Sequence, residues 1–213
     1  MIALILFICA VNAAKYGVDI AEAVSVSSIE CLKDLGYDSY FIFRAWRSLG
    51  KFDSNAATTN KNALSAGFTA SNIDAYFYPC YSCGDAAGQV ATFWSSVTSN
   101  SMKFYRLWFD IEGTWSSSKS NNKSFFEALV SKATSIGINS GIYSSYYQWE
   151  SIFGLSYKFQ YASEYPLWYA HYDWVENFSD FEPFGGWTTP YMKQYAGEAI
   201  TCSFDVDYNY RAD

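Results

Sequence analysis

Three glycines, Gly36, Gly67 and Gly137, each close a helix-like stretch just ahead of a short strand-like run, and this recurrence constrains the fold more than any other feature. Glycine takes that place because the residue past a helix end often needs a left-handed backbone. The spacing predicts a strand over Tyr16–Ile20, then a helix through Ile29–Leu35. A strand at Tyr40–Arg44 precedes a helix from about Asp53, and a strand at Asp74–Tyr78 precedes a helix capped at Asp85 and running towards Val97. The run Arg106–Asp110 leads into a helix through Phe125–Thr134, and Asn139–Tyr143 into a short helix around Tyr147–Phe153. Strands alternating with helices imply parallel pairing in an α/β sheet. After residue 160 three more strand-like runs, Pro166–Ala170, Tyr191–Tyr195 and Phe204–Tyr208, follow with no full helix between them. Eight strands suggest a closed barrel, yet about 200 residues is short for a complete (β/α)₈ barrel. The expectation is an irregular TIM-like barrel of five βα units followed by three strands, in one domain over 15–213.

Residues 1–14 are apolar and end in small residues, a run of signal-peptide length too short to span a bilayer. It departs from the usual leader in lacking a basic residue at its start. No later run reads as a membrane anchor. Cys9 would leave with the leader, so Cys31, Cys80, Cys83 and Cys202 remain, an even number that in a secreted chain favours two disulfides. Cys80 and Cys83 could instead form half of a zinc or redox site. A zinc site would need a second such pair or more than the single histidine, His171, so no metal is expected. Pairing Cys80 with Cys83 and Cys31 with Cys202 is favoured over the other pairings. The acceptor sequons at Asn122 and Asn177 fit a secretory route. A net charge of −7 argues against a nucleic-acid partner and fits an acidic digestive lumen.

The strand Arg106-Leu-Trp-Phe-Asp110 runs on into Ile-Glu112-Gly113. Side chains at i and i+2 share a face, so Asp110 and Glu112 stand side by side at the end of an apolar strand. Two carboxylates so placed cannot both ionise easily, and one keeps its proton to a higher pH. Glycoside hydrolysis uses such a pair: an acid to protonate the leaving oxygen and a carboxylate to stabilise positive charge. The competing reading is that both acids simply leave the sheet and cap the next helix. In barrels of this kind the site lies at the C-terminal ends of the strands. Those ends carry Asp19, Arg44, Tyr78, Asp110 with Glu112, Tyr143, Trp168 with Tyr172, Gln194 and Asp207. Aromatic residues make up 21% of the chain, so most must be core, and only those at strand ends are candidates for sugar contact.

At these residues the chain resembles glycoside hydrolase family 25, the muramidase-type lysozymes, and in its Pro79-Cys80-Tyr-Ser-Cys83-Gly segment a eukaryotic branch of it. The matching pieces are Tyr16-Gly-Val-Asp19-Ile, Phe109-Asp110-Ile-Glu112-Gly113, Gly141-Ile-Tyr143-Ser, Leu167-Trp168-Tyr-Ala170-His-Tyr172, Lys193-Gln194-Tyr195 and Val206-Asp207-Tyr-Asn209. Each piece is weak alone, but they occur in the family's order across residues 15–213. The resemblance implies hydrolysis of the β-1,4 bond from N-acetylmuramic acid to N-acetylglucosamine in bacterial peptidoglycan, without a cofactor. It implies Glu112 as general acid and Asp110 as the acid that orients or stabilises the 2-acetamido group. Asp19 and Asp207 would be the two further acids of the cleft, with Asp207 preferred over Asp205. Tyr78, Tyr143, Trp168, Tyr172 and Gln194 are candidate substrate contacts, although the aromatics could equally be packing residues. Lys193 and Arg44 could offer charge to muramic acid or its peptide, and Arg44 could instead pair with a cleft acid. His171 reads as an ordinary core or surface histidine. The expected protein is a monomer, secreted or held in a digestive or phagocytic lumen. The rival reading is a catalytically weak peptidoglycan- or chitin-binding protein on the same fold, and a further one keeps the enzyme but changes the substrate to chitin.

Overall fold

The computed structural model describes residues 14–212. The expected leader, with Cys9, lies outside the described residues except for Ala14. The elements are β1 (Lys15–Ile20), α1 (Val26–Asp34), β2 (Tyr40–Arg47), β3 (Lys51–Phe52), α2 (Ala56–Ser65), β4 (Ile73–Phe77), α3 (Ala86–Ser99) and β5 (Arg106–Asp110). They continue with α4 (Lys119–Ile136), β6 (Ser140–Ser144), α5 (Tyr146–Phe153), β7 (Leu167–Ala170), β8 (Met192–Thr201) and β9 (Phe204–Arg211). Around the barrel β1, β2, β4, β5, β6, β7 and β8 pair in parallel, and β9 closes the ring by running antiparallel to both β8 and β1. The architecture is thus the irregular barrel of five βα units and three strands. β3, which the sequence pattern does not announce, is a two-residue hairpin partner on the edge of β2.

Helix starts follow capping chemistry. Ser25, Asp85, Ser118 and Ser145 each accept a backbone N–H from the first turn of the helix they precede. Gly137, with φ of 80°, closes α4. α4 starts well before the expected Phe125, because its polar first turns are held by the Ser118 cap and by Asn122. The Asn122 amide donates to the carbonyls of Ser116 and Ile152, both at 2.8 Å.

Strand alternation splits the apolar residues into two cores. One face of each strand packs on the helices, with Phe41, Phe43, Phe77, Phe109, Ile142 and Leu167 among its residues. The other face fills the barrel with Tyr40, Ile42, Trp108, Tyr143, Trp168 and Met192. Glycines make room for these large rings. A Cβ on Gly141 would strike Trp108, its register partner on β5, and one on Gly17 would strike Tyr40, its partner on β2. Below them the N-terminal end is plugged by Asp74, which accepts from the Trp108 indole at 2.9 Å, and by the Arg106 guanidinium over the Trp108 and Tyr191 rings. Filling that end leaves the C-terminal end open as the concave face.

The disulfides join Cys31 to Cys202 and Cys80 to Cys83. The first ties α1 to the turn between β8 and β9. The second closes the turn after β4. Among the described residues no helix is long and apolar enough to cross a membrane.

Candidate active site

At the open end of the barrel a cleft is lined by Asp19, Tyr76, Asp110, Glu112, Tyr143, Trp168, Tyr172, Gln194 and Asp207. Asp19, Tyr76, Asp110 and Tyr143 come from the C-terminal parts of their strands, and Glu112 and Tyr172 from the segments just past β5 and β7, whereas Trp168 and Gln194 sit early in β7 and β8 and Asp207 in the middle of the reversed β9. The i, i+2 spacing of Asp110 and Glu112 works as expected. The backbone stays extended past β5, with Ile111 N–H donating to Tyr143 O at 2.8 Å, so both carboxyls turn into the cleft.

Gln194 organises the polar wall. Its amide nitrogen donates to Asp19 at 2.8 Å and Asp207 at 3.0 Å. Its amide oxygen accepts from the hydroxyls of Tyr143 at 2.5 Å and Tyr172 at 2.8 Å. Asn209 adds a second amide bond to Asp19 at 2.7 Å and accepts from the Trp168 indole at 2.8 Å. Asn209 was not singled out as a site residue, although it shares a strand face with Asp207 and ends the Val-Asp-Tyr-Asn run.

The four carboxyls hold their protons more tightly than free ones do. Burial pushes Asp110 well above the usual carboxylate range, and the charges of Glu112 and Asp19 push it further, against the pull of Arg44. Burial and Asp207 do the same to Asp19, opposed by the amides of Asn209 and Gln194. Burial and Asp207 raise Glu112. Asp207 is raised to about 6 by burial and by Asp205 and Glu198, although the Glu198 N–H bond opposes the shift. Asp110 Oδ1 is buried and has no hydrogen-bond partner among the described residues. Four acids crowded into one partly dry cleft cannot all be charged at neutral pH. The arrangement therefore stores at least one proton beside groups that can stabilise positive charge, as acid-catalysed cleavage of an acetal bond requires.

A family model described as Lysozyme-like protein 1 matches residues 10–195. The chain is 42% identical over 203 residues to "Probable GH family 25 lysozyme 5" of Dictyostelium discoideum, covering 91% of this chain and 89% of the relative. It is 39% identical over 213 residues to "Lysozyme-like protein 5" of Caenorhabditis elegans, covering 98% and 97%. The chain belongs to glycoside hydrolase family 25. It is accordingly a glycoside hydrolase. The fold is also that of the family 25 lysozyme of Aspergillus fumigatus, with a TM-score of 0.73 over 93% of this chain and 94% of that one at 14% identity.

Within this family 25 cleft the sequence-derived residues fall into distinct positions. Asp19, Asp110, Glu112, Tyr143, Trp168, Tyr172, Gln194 and Asp207 come together. Tyr78 does not join that lining. Tyr76 takes the place, because β4 turns Asp74 and Tyr76 inward and ends at Phe77. Tyr78 lies alongside, its hydroxyl filling the space where a Cβ on Gly113 would sit. Trp168 is 2% exposed and Tyr143 7%, so they form walls, whereas Tyr172, at 53%, has a face open to a ligand. Asp205 borders a smaller neighbouring hollow with Asp19 and Asp207.

The two candidate cations are committed elsewhere. Arg44 pairs with Asp53 at 2.7 Å and donates to Ala21 O at 3.0 Å. Lys193 points away from Gln194 into a fully buried site, bound to Asp173 at 2.8 Å and Asp180 at 2.9 Å. His171 is exposed and bonds Asp180 at 2.5 Å. Burial pushes Asp180 up, but bonds from His171, Lys193 and Tyr169 outweigh it and hold this carboxyl at about 2. Among the described residues, only His171, Asp173 and Asp180 bring three ligand atoms of metal-binding type all within 4.8 Å of one another. Lys193 already bridges the two carboxylates.

Proposed function

We propose that this family 25 hydrolase is a lysozyme of the N-acetylmuramidase kind, cleaving the β-1,4 bond from N-acetylmuramic acid to N-acetylglucosamine in bacterial peptidoglycan. The observation that carries the reading is the single cleft in which Asp19, Asp110, Glu112 and Asp207 meet with raised proton affinities. Glu112 is the general acid. It is less buried than Asp110, it carries a raised pKa, and it lies on the open side of the pair, so its proton can reach the glycosidic oxygen. Asp110, with Oδ1 unpartnered, is the group free to hold the 2-acetamido group of the sugar. Asp19 and Asp207, fixed by Gln194, face the positive charge that develops at the anomeric carbon. Tyr172 offers its exposed ring to a neighbouring sugar. The protein works as a monomer in a secretory or digestive lumen, a setting that suits its two disulfides.

The test is purified protein on purified peptidoglycan between about pH 4 and 7, with Glu112→Gln alongside and the fragments identified by mass spectrometry. Fragments with muramic acid at the reducing end are expected, reduced by about 10²–10⁴-fold in the variant. Chitin oligomers in parallel separate a muramidase from a general N-acetylglycan hydrolase. Undiminished cleavage by the variant would overturn the assignment of the acid. Sedimentation with the wall without any fragments would replace the enzyme by a binding protein.

A further inference from the structure

The two sequons face opposite fates in the folded protein. Asn122 is fully buried in α4, and both hydrogens of its amide nitrogen are spent on Ser116 O and Ile152 O. A sugar on that nitrogen would replace one of these hydrogens, break the bond it makes, and force a bulky group into the buried junction between α4 and α5. Asn177 lies in the long β7–β8 connection and is exposed. Its amide oxygen accepts from the Ser179 N–H at 2.9 Å and the Ser179 hydroxyl at 2.6 Å. Its amide nitrogen has no partner among the described residues. Between them Phe178 turns inward against Tyr210 and Tyr169, with ring centroids at 5.3 and 6.2 Å. The flanking residues are also pinned, Glu176 by the Tyr16 hydroxyl at 2.8 Å and Asp180 by Lys193 and His171. The loop thus presents Asn177 and Ser179 to solvent on an anchored base.

We propose that Asn177 is a site of N-glycosylation and that Asn122 is not. The reading rests on the secretory routing proposed above. The donor is an oligosaccharide carried on a lipid diphosphate. The Asn177 amide nitrogen forms a C–N bond to the anomeric carbon, the C–O bond to the diphosphate breaks, the lipid diphosphate leaves with the electron pair, and the amide gives up one proton. The Ser179 hydroxyl, already on the amide oxygen, is the acceptor-motif group that the transfer requires at that spacing. The same loop exposes Trp174 and Val175, apolar surface of the kind a bulky, solubilising glycan covers.

The experiment is expression of the full chain with its own leader in a eukaryotic secretory host, followed by intact mass measurement of the medium and cell fractions. Peptide mapping after enzymatic deglycosylation, which converts a glycosylated Asn to Asp, then locates the site. The expected result is one N-glycan on secreted protein, with Asn177 converted and Asn122 untouched. Asn177→Gln and, separately, Ser179→Ala should each abolish the whole mass increment while leaving wall cleavage intact. Secreted protein with an unmodified Asn177 overturns the proposal and leaves the routing standing. Unmodified protein retained in the cytosol overturns both. A glycan on Asn122 in folded, active protein overturns the burial argument.

Discussion

Asp110 shows how much of a site one position in a sequence carries, and where that signal stops. An acid at the end of an apolar strand, two residues from another acid, signals paired carboxyls on one face, and the cleft has that pair. Its isolation was not legible, because an unpartnered Oδ1 depends on what the neighbouring strands fail to supply. The choice between Tyr76 and Tyr78 was also hidden: the two share a strand face, so only the true strand end at Phe77 shows that Tyr76 lines the cleft. Lys193 looked like a substrate-facing charge because its partners, Asp173 and Asp180, lie 20 and 13 residues away in an irregular loop. The raised proton affinity of Asp110 has a consequence for stability. The folded state binds this proton more tightly than the unfolded chain, so its contribution is fully present at pH values below the unfolded carboxyl pKa. That contribution is lost as pH rises through the folded value. Asp110→Asn removes the charge while keeping the shape. The variant should melt a few degrees above the wild type at pH 7 and level with it near pH 4, as measured by calorimetry at both values. Equal melting at pH 7 would show that Asp110 ionises there at little cost.

Among the elements, the segment that leaves β5 carries the proposed general acid and is braced on several sides. The Trp115 indole N–H donates to Glu112 O at 3.0 Å, and its ring stacks on Tyr81 at 5.1 Å, inside the turn closed by Cys80 and Cys83. Gly113, with φ of 78°, donates its N–H to Gln148 at 3.1 Å, and Ser144 donates its hydroxyl to Ile111 O at 2.8 Å. Side-chain bonds to a backbone this irregular leave no periodic trace, so the strand was readable and its bracing was not. The same reason explains the early start of α4, where polar residues with caps replace an apolar stripe. Trp115→Phe keeps the ring packing and removes the donor to Glu112 O. A net hydrogen bond is worth about 0.5–1.5 kcal/mol, so kcat should fall roughly two- to twelve-fold with KM nearly unchanged. Steady-state kinetics on a soluble peptidoglycan fragment would check this, and a change in KM alone would give Trp115 a binding role.

For the whole molecule the decisive step is closure of the barrel, which brings the last strand beside the first. Eight strand-like runs implied a closed ring. The reversal of β9 was less visible, since its two-residue turn is Cys202-Ser203, without the Asn or Gly that such a tight hairpin prefers. Both residues sit at positive φ, 53° and 76°, a conformation that costs a non-glycine residue of order 1–3 kcal/mol when held in place. Cys202 is held from outside by its bond to Cys31 on α1, 171 residues earlier. That bond spans the seam where β9 meets β1, and β9 is the strand that supplies Asp207 and Asn209 to the cleft. In the chain-entropy account a cross-link over so long a loop removes more freedom from the unfolded chain than one over three residues, about 5 against about 2 kcal/mol. Replacing Cys31 and Cys202 together by Ser should therefore lower Tm by roughly 10–20 °C, and replacing Cys80 and Cys83 should lower it by less than half as much. Paired thermal melts decide between a seam that the disulfide secures and one that strand pairing alone maintains. Equal losses in the two variants would favour strand pairing and place the cost of each variant in local packing.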